Sequence, residues 1–189
     1  MHKLDALNRA GAEDAAAMLS PAIERAPQIA RRVILRRPFA STNALRAAIR
    51  AELGSLDEEQ RVNLFREHPE LGPENPLTMT AESQSEQGRL NLTASGNVYR
   101  VQLDQLNAQY RAKFGFPFIT ALVRHDGMDS VLAEFRDRLA ADRATEIDTA
   151  IDQVAAVSSA RIDAMFGNVV PEDASMPQPE TRRGQDHGT

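Results

Sequence analysis

The stretch Leu106–Ile119, which reads LNAQYRAKFGFPFI, decides how this chain folds. With the residues just before it, this stretch carries an apolar stripe at helical spacing, formed by Tyr99, Leu103, Leu106, Tyr110 and Phe114. Side chains three and four positions apart share one face of a helix, so the pattern predicts an amphipathic helix. Gly115 predicts the end of this helix, because glycine readily adopts the left-handed geometry of a C-terminal cap. A turn at Ser95-Gly96-Asn97 is predicted to precede it.

The apolar run that follows, Phe116–Val123, reads FPFITALV. Such a short run is typical of a strand or of a buried helix, and periodicity does not separate the two. Because helical patterns flank it on both sides, we favour a buried helical segment with Pro117 near its start.

The rest of the chain also has a helical pattern. Tryptophan is absent and aromatic residues make up 5% of the sequence, while alanine, leucine, arginine and glutamate recur with three- and four-residue apolar spacing. The first helices are predicted over residues 4–19, with a break near Gly11, and over residues 21–35, with Ser20 as N-cap. We therefore predict an all-α fold, a single-domain helical bundle.

Start and stop signals divide the middle of the chain. Ser41 or Thr42 is predicted to cap a helix that Gly54 closes, and Ser55 with Glu58 fits a capping box. The helix that this box opens should stop before His68-Pro69, since the residue before proline avoids helical geometry. A loop over residues 70–80 and a short helix over residues 81–87 follow.

Two further helices complete the predicted domain. A turn at His125-Asp126-Gly127 precedes a helix through Leu139, and the last long helix carries apolar residues from Ile147 to Met165. Beyond Gly167 the sequence is polar and contains Pro171, Pro177 and Pro179 without an apolar period. We expect residues 1–168 to form the helical domain and residues 169–189 to be a disordered polar tail.

Composition excludes several classes of function. The chain contains no cysteine, which rules out disulfides, thiolate metal sites and a cysteine nucleophile. Its formal net charge of −5 argues against binding nucleic acid or anionic lipid. No apolar run approaches the roughly 20 residues that span a bilayer, and neither a signal peptide nor a C-terminal Ser-Lys-Leu signal is recognisable. We expect a cytoplasmic protein.

Metal and cofactor chemistry have no support in the sequence. The four histidines, at positions 2, 68, 125 and 187, lack the helical partner spacing of a zinc site. Glycine-rich phosphate loops, a nucleophile elbow and a plausible Schiff-base lysine are also missing. We expect neither a metal nor a cofactor.

Three features remain as candidates for chemistry. His68 precedes Pro69 at a helix exit, where a side chain can face a cleft. Ser83, Glu86 and Gln87 share one helix face by their spacing. The apolar run 116–123 is the third feature. Taken singly, each is typical of a structural role: a satisfied histidine, a solvated polar face and a piece of core.

Together these features resemble the family of 2-oxo-4-hydroxy-4-carboxy-5-ureidoimidazoline (OHCU) decarboxylases. The resemblance covers residues 4–165 and rests on three marks in order. They are HPELG at residues 68–72, ESQSEQ at residues 82–87, preceded by Leu77-Thr78, and LNAQYRAKFGFPFI at residues 106–119. The segment RPFAS at residues 37–41 and a late helix with Glu146 and Arg161 are also similar to the family pattern.

The resemblance implies an all-helical enzyme without a cofactor, usually a homodimer, that converts a small-molecule substrate, OHCU, to (S)-allantoin in urate degradation. It makes His68 the catalytic residue. It also implies that the substrate is bound by residues of the three marks and the run after them: Pro69, Ser83, Gln84, Ser85, Glu86, Gln87, Ile119, Thr120, Ala121, Leu122 and Val123.

The chemistry of OHCU suits this set. Its carboxylate and hydroxyl share a ring carbon beside an imine-like carbon, so the substrate supplies its own electron sink and needs no pyridoxal or thiamine. A histidine can move protons near neutral pH as a general acid or base. Glu86 and Gln87 would anchor the ureido group and ring amides.

One departure from the family pattern leaves alternatives open. The family commonly has Ala-Gly-Leu shortly after its Glu-Gln, and this chain reads Gly88-Arg89-Leu90-Asn91-Leu92, with Asn91 near the glycine position. Asparagine tolerates left-handed geometry better than most residues, so we expect the turn to be kept. If it is lost, the chain could be an inactive binding module of the same fold. A third reading is a decarboxylase of a related ureido acid.

Overall fold

The computed structural model describes residues 3–94 and 98–167, and within these ranges it consists of helices and connecting loops without a strand. The α-helices are α1 Lys3–Arg9, α2 Ala12–Leu19, α3 Pro27–Ile34, α4 Thr42–Gly54, α5 Glu58–Arg66, α6 Ala81–Gly88, α7 Arg100–Phe114, α8 Met128–Ala140 and α9 Arg143–Phe166. Short 3-10 turns occupy Ser20–Ala22, Pro76–Thr78 and Leu122–Arg124. The predicted all-α fold is confirmed. The predicted turn at residues 95–97 and the predicted tail at residues 169–189 lie outside the described residues.

The long helix α9 organises the bundle. It packs against α4, α5, α7 and α1, and its buried apolar side chains extend from Ile147 to Phe166. Asp142 caps its first turn by accepting a hydrogen bond from Thr145 N. One face of α9 therefore lies in the core while its C-terminal half faces the site described below.

An aromatic cluster joins the helix of the opening stretch to the run that follows it. Tyr110 is fully buried, with its ring centroid 4.6 Å from Phe114 and 5.4 Å from Phe118. Phe118 stacks on Phe135 of α8 at 3.9 Å. Gly115 ends α7 with φ +80°, so the predicted glycine cap is confirmed. This cluster fixes where the chain goes after α7.

The predicted helix over Phe116–Val123 is wrong. Residues 116–121 are buried but belong to no helix, with Ala121 in the extended region, and a 3-10 turn begins only at Leu122. Pro117 has no N–H to give, and side chains from other helices bond the backbone here: Arg138 Nη1 donates to Ile119 O at 2.7 Å. A segment outside a helix can be buried because its polar groups are satisfied in this way.

Two predicted helix starts are also corrected. The chain does not form one helix from Pro21, because Ser20–Ala22 is a 3-10 turn and α3 starts at Pro27. The capping box of α5 is formed by Asp57 and Gln60, while the Ser55 hydroxyl donates to Glu52 O. The Asp57 side chain accepts a hydrogen bond from the backbone N–H of Gln60, three residues later, which is the role predicted for Ser55.

Candidate active site

His68 lies just beyond the end of α5, as the sequence predicted. Its Nδ1 is 3.0 Å from the carbonyl oxygen of Leu64, one helical turn back. A carbonyl only accepts, so Nδ1 carries the proton and Nε2 carries the lone pair. Pro69 follows and directs the chain out of the helix.

The surroundings of His68 keep its ring neutral. Burial lowers the pKa of His68 to about 4, and the positive charges of Arg161 and Arg25 act in the same direction. The hydrogen bond to Leu64 and the negative charge of Glu24 oppose this shift without cancelling it. At neutral pH the imidazole is therefore a base with an available lone pair on Nε2.

Helix α6 presents the second group of predicted site residues. Thr80 caps the helix by accepting a hydrogen bond from Ser83 N. Ser83 and Gln87 are buried and Glu86 is partly exposed, so the polar face that their spacing predicted points inward.

Gln87 braces the loop that follows His68. Its Oε1 accepts from Gly72 N at 2.8 Å, and its Nε2 donates to Glu70 O at 2.8 Å. Both bonds are to the backbone of the HPELG segment. The Gln87 amide thus holds the His68 loop against α6.

A buried ionic cluster links α6 to α9. Arg161 Nε and Nη2 bind the Glu86 carboxylate at 2.7 and 2.9 Å, and Arg161 Nη1 binds Glu24 Oε2 at 3.0 Å. The Ser83 hydroxyl donates to Glu24 Oε2 at 2.9 Å and accepts from Arg161 Nη2 at 3.2 Å. With the Pro21 carbonyl as a further acceptor at 3.3 Å, all five guanidinium protons are used.

The charges of this cluster are stabilised by one another. Burial would raise the pKa of Glu24, but the Arg161 charge and hydrogen bonds from Thr80, Arg161 and Ser83 outweigh it and hold that pKa below its usual value. Burial would likewise lower the pKa of Arg161, but Glu86 and Glu24 raise it. Arg25 Nε lies 3.9 Å from Glu24 Oε1, so two carboxylates and two guanidiniums meet here.

Two adjoining cavities bring these elements together. A narrow cavity of about 40 Å³ lies between His68, α6, the segment 116–121 and α9, and a wider cavity of about 480 Å³ lies beside it. Four residues line both: Glu86, Leu122, Val157 and Arg161. The wider cavity is within the range of roughly 300–1,000 Å³ that is usual for small-molecule sites.

Most of the predicted site residues line these two cavities. The narrow one is lined by His68, Pro69, Ser83, Glu86, Gln87, Ile119, Thr120 and Leu122, and the wider one by Ser85, Glu86, Ala121, Leu122 and Val123. Gln84 lines neither; its Nε2 donates to Met79 O at 3.1 Å. His68, Glu86 and Gln87 thus share one cavity.

Comparison with known proteins identifies the family. The family model described as OHCU decarboxylase matches residues 8–163. The chain belongs to the OHCU decarboxylase family. A relative from Mus musculus, the 2-oxo-4-hydroxy-4-carboxy-5-ureidoimidazoline decarboxylase, is 35% identical over 147 residues, which cover 77% of this chain and 82% of the relative.

Solved structures share the fold of this OHCU decarboxylase family member. A crystal structure of OHCU decarboxylase in the presence of (S)-allantoin superposes with a TM-score of 0.64 at 17% identity, covering 84% of this chain and all of the other. A crystal structure of (S)-allantoin synthase gives a TM-score of 0.62 at 22% identity, covering 86% of this chain. This chain spans 54% of that second protein.

The departure from the family pattern after Gln87 leaves the turn intact. Asn91 adopts φ +57°, the left-handed geometry expected of it, and Leu92 N donates to Gln87 O at 3.1 Å. That bond closes α6 in the manner of a Schellman motif. The exit of α6 is therefore regular, and Gln87 keeps its place.

Sequence reasoning did not select Glu24 or Arg161 as site residues of this OHCU decarboxylase family member. The resemblance named Arg161 on the late helix without giving it a site role, and its spacing of seven residues from Val154 places it on the apolar face of that helix. An arginine on a buried helix face needs a buried partner. Glu24 lies in the connection between α2 and α3 and had no such signal.

Proposed function

We propose that the chain decarboxylates OHCU to (S)-allantoin, with His68 as the base. The observation that carries this proposal is a neutral imidazole, protonated on Nδ1, in one cavity with Glu86 and Gln87. Membership of the OHCU decarboxylase family supports the choice of substrate. So does the name of the mouse relative, and the related crystal structure determined in the presence of (S)-allantoin supports the choice of product.

His68 acts on the hydroxyl group of the substrate. As the carbon–carboxylate bond breaks, its electron pair forms a double bond to the adjacent imine-like carbon, and the pair of the C=N bond moves to its nitrogen, which takes up a proton. Nε2 accepts a hydrogen bond from the hydroxyl in this step and takes its proton as the C–OH group becomes C=O. Carbon dioxide leaves, and the ring then takes up a proton on one face. The pKa of about 4 keeps His68 in the basic form at neutral pH.

Arg161 is the group best suited to the substrate's carboxylate. In the free protein its forked face holds Glu86, whose side chain is 34% exposed, whereas the Glu24 side chain is 1% exposed. A substrate carboxylate has the same two-oxygen geometry as Glu86 and can take its place on the guanidinium. Glu86, once displaced, can accept hydrogen bonds from the ureido N–H groups.

The remaining predicted residues shape the cavity around these groups. Ser83 orients Arg161 and Glu24, Gln87 holds the His68 loop, and Pro69 lies beside the base. Ile119, Thr120 and Ala121 form a buried wall that excludes water, and Leu122, Val123 and Ser85 line the wider cavity beside it. Gln84 is placed to support the start of α6 through Met79.

The proposal includes a homodimer in the cytoplasm. The exposed apolar side chains of Leu77, Val98 and Val101 provide surface that a second copy can cover. No helix of the described ranges is long and apolar enough to cross a membrane. Light scattering on the purified protein tests the dimer, which requires twice the mass of the chain.

The activity is tested by adding the purified protein to freshly generated OHCU. Circular dichroism follows the formation of optically active allantoin, and the spontaneous decay of OHCU without protein is subtracted. The wild-type chain should accelerate the decay and yield (S)-allantoin. His68→Asn should lower the rate by about 10²–10⁴-fold with an unchanged far-ultraviolet spectrum. A wild-type protein that leaves the spontaneous rate unchanged would contradict the proposed function.

A further inference from the structure

The wall of the cavity at residues 119–121 is held by side chains from two other helices. At residues 119 and 121 its backbone is bonded by Arg138 of α8 and Gln153 of α9. Arg138 Nη1 donates to Ile119 O at 2.7 Å, and Ala121 N donates to Gln153 Oε1 at 2.9 Å. The position of this wall therefore depends on how those two side chains are oriented.

Both of these side chains meet at a single carboxylate, that of Glu134 on α8. Glu134 Oε1 accepts from Arg138 Nη1 at 2.8 Å and from Gln153 Nε2 at 3.3 Å. Its Oε2 accepts from Thr120 Oγ1 at 2.9 Å and lies 2.8 Å from His125 Nε2. One carboxylate thus accepts from three donors and lies beside the His125 ring, and one of the donors, Thr120, is part of the wall.

Glu134 also determines which way the Gln153 amide points. A carboxylate only accepts hydrogen bonds, so the NH₂ group of Gln153 must face Glu134. The amide oxygen is then left to face the N–H of Ala121. A reversed amide would place two donors against each other at Ala121 and an acceptor against the carboxylate.

The other charged groups around Glu134 have their own partners. Arg138 also binds Glu146 through Nε at 3.1 and 3.2 Å, and its guanidinium lies 4.5 Å from the centroid of Phe118. His125 Nδ1 lies 3.0 Å from the Ser130 hydroxyl. Glu134 is therefore the group that connects Arg138 and His125 to Thr120 of the wall.

We propose that Glu134 is a positioning residue for the decarboxylation, acting through the wall segment 119–121. This inference rests on the proposed function, because Ile119 and Thr120 line the cavity that contains His68. By fixing the wall, Glu134 fixes how the substrate lies against the imidazole and which face of the ring is protonated. Glu134 lines neither cavity and makes no contact with the substrate itself.

Glu134→Gln is the sharpest change, because it keeps the size of the side chain and alters only its hydrogen bonding. An amide has one accepting oxygen and one donating nitrogen. With its NH₂ group towards Arg138 and Gln153, the new amide faces two donors; with its NH₂ group towards Thr120, it reverses the Thr120 bond, because that hydroxyl must then accept instead of donating. Either orientation alters a bond that connects residue 134 to the wall.

Glu52→Gln is the matched control. Glu52 is a buried carboxylate on α4 that binds two arginines, Arg32 at 3.0 Å and Arg36, and none of the three lines either cavity. Both variants lose ion pairs, so a merely structural role predicts the same behaviour for both. Enantiomeric excess is the discriminating readout, because it is independent of the fraction of protein that is folded.

We expect Glu134→Gln to lower kcat/KM for OHCU by about tenfold to a hundredfold and to lower the enantiomeric excess of allantoin. The excess is measured at an enzyme concentration where spontaneous decay is negligible. Glu52→Gln should keep both values. An enantiomeric excess and a kcat/KM in Glu134→Gln equal to those of Glu52→Gln, with an active wild type, would overturn the positioning role and leave the proposed function standing.

Amide hydrogen exchange at Ala121 decides the same question without turnover. Exchange there should accelerate at least about tenfold in Glu134→Gln and be unchanged in Glu52→Gln. Unchanged exchange in Glu134→Gln would overturn the role, even if the wild type proved inactive on OHCU. Should Glu134→Gln fail to fold, Gln153→Met removes the connection that runs from Glu134 through Gln153 to Ala121 and must give the same acceleration, together with the lowered enantiomeric excess.

Discussion

His68 donates its Nδ1 proton to the carbonyl oxygen of Leu64 across 3.0 Å, within the last turn of the helix that ends before it. The bond fixes the tautomer of the imidazole and leaves the lone pair on Nε2. Because the carbonyl belongs to the same helix, the orientation of the base is set before any substrate binds. His68 is thus a base whose form and direction are both determined by α5.

The pH dependence of the reaction should report the low pKa of His68. Since burial lowers this pKa to about 4, kcat/KM should be constant from about pH 8 to about pH 5 and fall as the pH drops through about 4. Stopped-flow rates corrected for spontaneous decay measure this profile. A midpoint near the ordinary histidine value of 6.5 would contradict the neutral, partly buried base.

The stability of the fold should also depend on pH through the low pKa of His68. Between pH 6.5 and about 4 the unfolded chain binds a proton at residue 68 that the folded protein does not bind. The free energy of unfolding therefore has its full value above pH 6.5 and decreases as the pH falls towards about 4. His68→Asn should remove that part of the slope. Urea denaturation at several pH values compares the two proteins.

Arg161 should be far more important for stability than an exposed arginine. Arg161→Ala leaves Glu24, 1% exposed, without its buried cation and only with the more distant Arg25 at 3.9 Å, and we expect a loss of about 3–5 kcal/mol in the free energy of unfolding. Arg50→Ala is the control, since Arg50 and Asp152 pair at 3.6 Å with side chains 60% and 75% exposed, a type of pair worth about 0–1 kcal/mol. If chemical denaturation gives the same loss of unfolding free energy for Arg161→Ala and Arg50→Ala, the ionic cluster does not hold α9 to α6.

Gln87 should influence activity through the His68 loop. Gln87→Leu leaves Gly72 N–H and Glu70 C=O without their partner, at a cost of about 1–3 kcal/mol. Because the loop then loosens beside His68, kcat/KM should fall by at least about tenfold. Gln109→Leu, at an exposed glutamine of α7, should leave both stability and rate close to wild type. The idea fails if the two variants have the same rate.

The sequence predicted the parts of the site that depend on local pattern. The spacing of Ser83, Glu86 and Gln87 placed them on one helix face, and Pro69 placed His68 at a helix exit; the structure has both features. The stripe from Leu103 to Phe114 and the cap at Gly115 were likewise readable, because helix periodicity and glycine geometry are local properties.

The parts that were missed depend on contacts between distant residues. Glu24 and Arg161 are 137 positions apart and meet only in the folded bundle. Residues 116–121 are non-helical, with Arg138 and Gln153 bonding their backbone, whereas their own composition was typical of a strand or a buried helix. Local patterns carry no information about such partners, so the sequence alone did not separate the alternatives.

Asn91 offers the last test, because its left-handed φ of +57° closes the helix that carries Gln87. Asn91→Gly should be neutral or slightly stabilising, since glycine adopts this geometry without strain. Asn91→Ala should cost about 1–2 kcal/mol, because a Cβ without a compensating polar group is disfavoured there. Thermal denaturation of the two variants gives the difference directly. If alanine is tolerated as well as glycine, the turn does not depend on residue 91, and the placement of Gln87 must come from its bonds to Glu70 and Gly72 alone.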